Sequence, residues 1–247
     1  HVPGPDLGGA LPLLHREGVA GINLTIPHKV SARDLVEAVD PEVEPMGAVN
    51  TLIRTESGYR ATNTDGYGIT RAVEEAFSLP MDGLDIWLFG AGGAARGIIV
   101  ACLQAGCARL TVLNRSEERL RELEAQLARS GLAGLDRLRL AGLETAPRDA
   151  EAGSLLINAT SLGLRADDPN PVDPAYLEPG RHVYDTTYGS RNRLRSACAE
   201  RGVDYADGLS MVVWQGVRSL EIWTGRPVPA ETMRRAALAR LEEKKRV

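Results

Sequence analysis

The stretch Leu84-Asp-Ile-Trp-Leu-Phe-Gly-Ala-Gly-Gly-Ala-Ala-Arg-Gly97 decides the fold of this chain. Its apolar run at residues 86–89 predicts a buried strand, followed by a glycine-rich turn and a helix over residues 94–103. Such a turn lets the backbone approach a pyrophosphate, which the N–H groups at the helix start can hold. A purely structural turn also favours glycine, but the flanking strand and helix favour dinucleotide binding. The candidate cofactor-binding residues here are Gly90, Ala91, Gly92, Gly93 and Ala94.

The end of the next predicted strand, residues 110–113, indicates which dinucleotide is bound. An NAD site usually has an acidic residue there to hold the ribose 2′-hydroxyl, but this chain continues Asn114-Arg115-Ser116. Arg115 suits a 2′-phosphate, Ser116 suits the N-cap of a helix over residues 117–129, and Arg119 adds a second cation. Alternatively, Arg115 is a solvated loop residue and Arg119 pairs with an acid on the helix surface. The missing acid favours NADP over NAD.

The composition agrees with a soluble metabolic enzyme and is ordinary for a globular protein. The chain has 247 residues, 43% hydrophobic and 25% charged, which suits one large or two small domains. Its net charge of −4 gives no reason to expect a nucleic-acid partner, and no apolar stretch is long enough to span a membrane. Three scattered cysteines fit a reducing cytoplasm, and four histidines without ligand spacing predict no metal site. We expect a cytoplasmic monomer or homodimer whose partner is a small-molecule substrate.

Apolar strands alternate with helical patterns from about residue 84 to residue 207. The candidate strands lie at residues 86–89, 110–113, 138–140, 154–158, 182–185 and 203–205. Strands that alternate with helices pair in parallel, with the helices covering both faces. This part of the chain therefore predicts an α/β fold with a Rossmann-like, doubly wound sheet.

The two ends of the chain follow other patterns. Residues 6–17 and 31–39 predict helices, residues 20–25 an apolar strand, and residues 47–53 and 58–66 the strands of a hairpin. Two further helices, at about residues 209–223 and 230–243, lie outside the strand alternation and most simply return to the first domain. We expect a smaller α/β substrate domain of residues 1–66 plus 209–247, a dinucleotide-binding domain of residues 67–208, and a cleft between them.

Polar residues with spacing that chemistry would use accompany these elements. Lys29 follows a predicted strand, Asp65 lies at the crossover into the nucleotide part, and Tyr188 follows another strand. Gln215 lies one turn after Met211 on an apolar helix. Each has an ordinary alternative, namely a surface lysine, a helix cap, a core tyrosine and an exposed helix position. Only the set as a whole favours a site.

That set closely resembles the shikimate dehydrogenase family over residues 21–225. The motifs that carry the resemblance are Asn23-Leu-Thr-Ile-Pro-His-Lys29, Gly47-Ala-Val-Asn50-Thr51, Asn63-Thr-Asp65-Gly66, Gly90-Ala-Gly-Gly93, Asn114-Arg-Ser116, Asn158-Ala-Thr160, Asp185-Thr-Thr-Tyr188 and Asp207-Gly-Leu209. The resemblance implies reduction of 3-dehydroshikimate to shikimate with NADPH, a step in aromatic amino-acid biosynthesis.

The resemblance also implies roles for individual residues. It makes Lys29 and Asp65 the catalytic pair, and it places substrate contacts at Thr25, Asn50, Tyr188 and Gln215. Contacts with the 2′-phosphate are implied at Arg115, Ser116 and Arg119, and other cofactor contacts at Asn114, Asn158, Ala159, Thr160, Gly208 and Met211. A cation near the reacting oxygen stabilises the developing alkoxide and can supply the proton, and a neighbouring carboxylate favours the charged lysine. Which of the two residues transfers the proton stays open.

The sequence departs from the family pattern in three places. The family's opening segment, roughly Gly-x-Pro-x-x-His-Ser-x-Ser-Pro with two carboxylate-binding serines, has no counterpart, so we expect about forty further residues before His1. The strand at residues 20–25 is apolar on both faces and is expected to lie inside its sheet, with the family's first strand as one neighbour among the further residues expected before His1. Ser210 stands where a glycine is usual, and Ser190-Arg-Asn192 replaces a usual proline.

Two alternative functions stay open on the sequence. One is a quinate/shikimate dehydrogenase paralogue with broader substrate use or NAD use, which would tend to carry an acid where Arg115 stands. The other is a non-catalytic nucleotide-sensing protein on the same fold. Loss of Lys29 or Asp65 would have indicated the second alternative, but both residues are present.

Overall fold

The computed structural model describes residues 2–3, 6–165, 167–189 and 193–246, which form two sheets connected and covered by helices. The three residues at 190–192, which replace the family's proline, lie outside the described residues. In chain order the elements are α1 (Leu7–Arg16), β1 (Gly21–Asn23), α2 (His28–Ser31), β2 (Ala38–Val39), β3 (Thr51–Arg54), β4 (Tyr59–Thr62), α3 (Asp65–Phe77), β5 (Asp85–Phe89), α4 (Gly93–Gln104), β6 (Arg109–Asn114), α5 (Glu117–Arg129), β7 (Leu138–Gly142), β8 (Leu155–Asn158), β9 (His182–Asp185), α6 (Arg193–Arg201), β10 (Asp204–Asp207), α7 (Leu209–Thr224) and α8 (Ala230–Arg246).

The larger sheet is parallel throughout and has the order β10-β9-β8-β5-β6-β7. All six strands were predicted from the sequence, and the doubly wound, Rossmann-like fold is confirmed. Its central strand β5 is buried from Ile86 to Phe89 because helices cover both faces. The chain reverses its direction of travel between β5 and β8, and open parallel sheets bind ligands at such a switch point.

Helix α5 shows how the local sequence determines an element. It covers the same residues as the prediction, and its leucines at positions 120, 123 and 127 are buried against the sheet. Ser116 is its N-cap, and the Ser116 hydroxyl accepts a hydrogen bond from the Arg119 N–H at 3.3 Å. The N-cap prediction is therefore confirmed.

The smaller sheet has the order β1-β3-β4-β2, with a β3–β4 hairpin and a parallel β4–β2 pair. The helix predicted over residues 31–39 is wrong. The chain instead forms the short α2, a 3₁₀ turn at Ala32–Leu35 and strand β2. Tertiary pairing overrides the local pattern, since the N–H groups of Glu37 and Asp40 donate to carbonyls of the β4 segment at 2.9 Å each.

Strand β1 was predicted to be an interior strand whose second neighbour belongs to residues before His1, and within the described residues it pairs only with β3. Trp223 of α7 packs on β1, and its indole N–H donates to the carbonyl of Leu52 in β3 at 2.9 Å. The ring packs so closely on Gly21 that an added Cβ there would lie 2.3 Å from it. Helix α7 is thus fixed on the smaller sheet.

Helices α3 and α7 also connect the smaller sheet with the nucleotide-binding part of the chain. An added Cβ on Gly97 of α4 would lie 3.2 Å from the Asp65 Cβ, so the start of α3 packs directly on α4. The sequence-derived domain boundary at residues 66 and 67 falls in the first turn of α3. Among the described residues, no helix is both long and apolar enough to cross a bilayer.

Candidate active site

A cleft of about 420 Å³ opens at the carboxyl ends of β5, β6 and β8. The glycine-rich turn, Asn114, Arg115, Arg119, Ala159 and Thr160 line it from the larger sheet, and the segment from Ile26 to Val30 lines it from the smaller one. The strand ends converge there because the strands of the sheet are parallel. The structure therefore gathers most of the predicted cofactor-binding residues around one cavity.

The turn after β5 requires glycine at its first position. Gly90 has φ = 115°, and a Cβ there would lie 3.0 Å from the Ala159 carbonyl oxygen. Gly92 is the N-cap of α4 and is exposed, and among the described residues no side chain caps the helix start. The first N–H groups of α4 are therefore suitable donors for a pyrophosphate.

Arg115 and Arg119 line this cleft. Both are exposed, and neither forms a salt bridge with a described residue. The alternative pairing of Arg119 with an acid on its own helix is thus absent from the described part of the chain. The Asn114 amide donates to the Ser116 carbonyl at 2.9 Å and holds the turn that presents Arg115. Two guanidinium groups near a helix start suit a phosphate dianion.

The loop after β8 is fixed by the Asn158 side chain. The side-chain oxygen Oδ1 of Asn158 accepts from the Thr160 N–H at 3.0 Å and from the Thr160 hydroxyl at 2.7 Å. The side-chain amide of Asn158 donates to the Leu162 carbonyl at 3.1 Å. The Ala159 N–H donates to the Phe89 carbonyl at 2.8 Å. The loop is therefore held against the glycine-rich turn at one wall of the cleft.

Lys29 and Asp65 form a salt bridge beside the cleft. The Lys29 ammonium donates to both Asp65 oxygens, at 2.7 and 2.9 Å. The Asp65 side chain is 1% exposed, whereas Lys29 is 12% exposed and lines the cleft. The Asn63 side chain accepts from the Asp65 N–H at 2.8 Å and fixes the start of α3. A cation is thus presented to the cavity and held from behind by a buried carboxylate.

Asn50 connects this pair with α7. Its amide donates to Asp65 Oδ1 at 2.9 Å and to Gln215 Oε1 at 3.2 Å, and the Asn50 side chain is 2% exposed. Thr25 and Tyr188 are exposed, and neither side chain hydrogen-bonds a described residue or lines the cleft. The structure therefore brings Lys29, Asp65, Asn50 and Gln215 together and leaves the other two predicted substrate contacts at the surface.

The start of α7 carries the last two predicted cofactor residues, which do not line the cleft. The Gly208 N–H donates to the Thr187 carbonyl at 2.9 Å, and the Met211 N–H donates to the Tyr184 hydroxyl at 3.1 Å. The Ser210 hydroxyl lies 3.0 Å from the same phenolic oxygen. Burial raises the pKa of Tyr184, which keeps the phenol neutral. The serine that departs from the family pattern thus joins a buried hydrogen-bond group.

Several polar residues behind the site, all buried except Asn23, were given no role in the sequence analysis. The Asn23 amide donates to the Ser219 hydroxyl at 2.8 Å, and the Thr51 hydroxyl lies 3.0 Å from the same oxygen. Thr51 also donates to Asn50 Oδ1 at 2.8 Å, and Thr64 donates its N–H to that atom at 2.8 Å. The signal for Ser219 was a hydroxyl in the apolar helix α7, one turn after Gln215. These groups hold the Asn50 side chain in one orientation.

Comparison with known proteins identifies the family. Residues 1–52 match the model of the shikimate dehydrogenase substrate binding domain, and residues 208–238 match the shikimate 5′-dehydrogenase C-terminal domain. The chain is 38% identical over 235 residues to shikimate dehydrogenase (NADP(+)) of Moorella thermoacetica, covering 93% of this chain and 78% of that protein. It is 36% identical over 244 residues to the enzyme of the same name from Symbiobacterium thermophilum, covering 98% and 83%.

Solved structures agree with these relatives. Shikimate dehydrogenase from Aquifex aeolicus matches with a TM-score of 0.83 and 26% identity, covering 96% of this chain and 84% of that one. Shikimate 5-dehydrogenase from Thermus thermophilus, solved with NADP(H) and shikimate, matches with a TM-score of 0.80 and 31% identity, covering 96% and 85%. The NADP in these names favours the main interpretation over the NAD-using paralogue. The chain therefore belongs to the shikimate dehydrogenase family and is an NADP-dependent oxidoreductase.

Proposed function

We propose that the chain interconverts 3-dehydroshikimate and shikimate with NADP(H), and that Lys29 and Asp65 are its catalytic pair. One observation carries the proposal. A lysine ammonium, held by a buried carboxylate, lies on the wall of the same cleft as the glycine-rich turn. Hydride transfer to a carbonyl carbon needs such a cation at the oxygen, because negative charge develops there.

The cleft residues fit the cofactor. The uncapped start of α4 suits the pyrophosphate, and Arg115 with Arg119 suits the 2′-phosphate. Apart from its neighbours in the chain, no described atom lies within 4 Å of the position that a Cβ on Gly92 would take, which leaves room for close approach. When bound, NADP(H) supplies or accepts the hydride. Asn114, Ser116 and the Asn158–Thr160 loop are the other proposed contacts at the cofactor, with Gly208 and Met211 at the start of α7.

Lys29 acts on the substrate oxygen. Its ammonium has three N–H groups, and two of them are engaged by Asp65, so one remains for the carbonyl oxygen. In the reductive direction this group stabilises the alkoxide, and the Lys29–Asp65 pair delivers the proton. In the oxidative direction the same pair takes up the proton of the substrate hydroxyl.

Four other residues position the substrate in this proposal. Asn50 and Gln215, already joined by a hydrogen bond beside Asp65, contact the ring hydroxyls. Thr25 and Tyr188, whose exposed side chains hydrogen-bond no described residue, contribute further contacts with hydroxyl and carboxylate groups. Asn50 thereby fixes the substrate and the catalytic carboxylate in one arrangement.

The proposal extends to the domains and the setting of the protein. Residues 1–66 with 209–247 form the substrate domain and residues 67–208 the cofactor domain, which is supported by packing of α7 on the smaller sheet through Ser219 and Trp223. We place the protein in the cytoplasm as a monomer or homodimer. Its three cysteines, all buried as free thiols, support a reducing compartment.

A steady-state assay tests the proposal. The purified chain is given shikimate or quinate with NADP or NAD, and formation of the reduced nicotinamide is followed by its absorbance. We expect the highest kcat/KM for shikimate with NADP. Higher kcat/KM with quinate or with NAD would instead assign the chain to the broader paralogue, and NADPH binding without turnover of either substrate would overturn the catalytic proposal.

A further inference from the structure

Asp185 ends strand β9 at the carboxyl edge of the larger sheet, and its side chain is fully buried. In the strand register it lies beside Asn158 of β8 on one side and Asp207 of β10 on the other. All three residues end their strands, so three loops leave the sheet from adjacent points. A buried carboxyl group at that point needs hydrogen-bond donors from its surroundings, since burial without them is costly.

The donors come from the segments that form the site. Asp185 Oδ1 accepts from the Asn158 amide at 2.9 Å, from the Thr187 N–H at 3.0 Å and from the Thr187 hydroxyl at 2.9 Å. The phenol of Tyr205 in β10 donates to Oδ2 at 3.2 Å. One side chain therefore connects β8, β10 and the loop that continues to Tyr188.

Each contact leads to a residue of the proposed machinery. The Asn158 side chain, held by Asp185, in turn holds Thr160 and Leu162, and both line the cofactor cleft. The turn that Asp185 forms with Thr187 points the Thr187 carbonyl at the Gly208 N–H, 2.9 Å away. Gly208 directly precedes α7, the helix that carries Gln215.

The fit of this turn against α7 is tight. An added Cβ on Gly208 would lie 2.2 Å from the Thr186 carbonyl oxygen. Displacement of the Thr186–Thr187 turn would therefore also displace the start of α7, because the two backbones have no gap between them. Close packing transmits such shifts instead of absorbing them.

We propose that Asp185 is a positioning residue that holds the cofactor loop, the Tyr188 loop and the start of α7 in their mutual arrangement. The inference rests on the proposed function, because it concerns residues assigned there to cofactor and substrate. Asp185 itself does not line the cleft. It acts through Asn158 and Thr187.

The test compares Asp185→Ala with Asp185→Asn and with Asp85→Ala as a matched control. Asp85 is also a carboxylate with several donors, Arg109, Trp87 and Ser154, and its side chain is only 11% exposed, but it begins β5 at the amino end of the parallel strands. NADPH affinity is measured by cofactor fluorescence without substrate, and KM and kcat are measured per folded enzyme. Thermal unfolding reports the stability of each variant.

We expect Asp185→Ala to weaken NADPH binding and to lower kcat by about tenfold or more, since misplacement of reacting groups by about 1 Å can cost about a hundredfold. Asp185→Asn keeps an oxygen that can accept from Asn158 and Thr187, so its NADPH affinity and kcat are expected to lie close to those of the wild type. Asp85→Ala lowers the unfolding temperature but leaves KM, kcat and NADPH affinity unchanged. If Asp185→Ala does not fold, Thr187→Val, which removes one donor to Oδ1, is expected to shift the same quantities in the same direction.

Wild-type NADPH affinity and kcat in Asp185→Ala, or in Thr187→Val where the first variant does not fold, would overturn the proposal. Equal losses in Asp185→Ala and Asp85→Ala would also overturn it, because the effect would then be general destabilisation. The NADPH-binding comparison needs no substrate. It therefore decides on Asp185 even if the wild-type chain does not turn over shikimate.

Discussion

Replacement of Lys29 by methionine removes the ammonium and keeps an unbranched side chain of similar length beside the glycine-rich turn. In the wild type, two of the three ammonium N–H groups bond Asp65, which leaves one for the substrate oxygen. Loss of one positioned donor to a developing oxyanion costs about a hundredfold to a thousandfold in kcat, or about 2.7–4 kcal/mol. Because Lys29 is 12% exposed, solvent replaces part of the lost charge, and we expect a loss near the lower end, about a hundredfold.

The KM values for shikimate and NADP are expected to change much less than kcat, because this contact strengthens as charge develops on the oxygen. Stability is also expected to fall, by about 1–3 kcal/mol, because the 1% exposed Asp65 carboxylate loses its cation and keeps only neutral donors such as the Asn50 amide. Initial-rate kinetics in both directions and urea unfolding measure these effects.

Arg33→Met is the matched control. Arg33 follows Lys29 closely in the chain, but it is exposed and pairs with Glu44 on the surface, where such pairs contribute about 0–1 kcal/mol. This variant is expected to keep wild-type kcat. Near-normal kcat in Lys29→Met would refute the assigned role, and so would an equal loss in Arg33→Met, which would indicate a general disturbance of the segment.

Three further predictions follow from other parts of the structure. Arg115→Ala is expected to raise the KM for NADP, because a charge-assisted contact worth about 1.5–3 kcal/mol is lost, while NAD use stays unchanged. The control is Arg121→Ala on the surface of the following helix α5, and equal loss for both cofactors in Arg115→Ala would contradict the role. Burial raises the pKa of Asp85, but hydrogen bonds, chiefly from its arginine partner, outweigh burial and leave this pKa lowered. A carboxyl group whose pKa is lower in the folded than in the unfolded state, about 3.9, stabilises the fold at pH values above that pKa. Asp85→Asn should therefore lower the free energy of urea unfolding by about 1–3 kcal/mol at neutral pH, and this difference from wild type should shrink as the pH falls below about 4. A difference that does not depend on pH would contradict this. Tyr184→Phe removes the acceptor of the Met211 N–H and should lower stability by about 1–3 kcal/mol, and an unchanged unfolding temperature would show that this contact is not needed.

Short-range features of the sequence were enough to predict the larger sheet and to predict NADP as the cofactor. The apolar run before Gly90, the glycine-rich turn and the helix after it are local patterns, and the structure keeps all three. The N-cap at Ser116 needs only a hydroxyl and an N–H three residues apart. Arg115 could be predicted as a 2′-phosphate contact because a βα turn places the end of its strand beside the cofactor ribose.

The motif order identified Lys29, Asp65, Asn50 and Gln215, but only the tertiary structure shows how they meet. Asn50 and Gln215 are 165 positions apart, and Asn23 and Ser219 are 196 apart, so no local pattern encodes either contact. Both depend on the packing of α7 against the smaller sheet.

Tertiary structure also decided the one element that the sequence analysis assigned wrongly. Strand β2 forms in place of a predicted helix because the edge of β4 offers it backbone hydrogen bonds. The role inferred for Asp185 likewise depends on its neighbours in space, since its donors come from three segments of the chain. Local sequence determined which elements of the cofactor site form, whereas the assembly of the site was decided by contacts between residues far apart in the chain, whose free energy depends on packing that no short stretch of sequence contains.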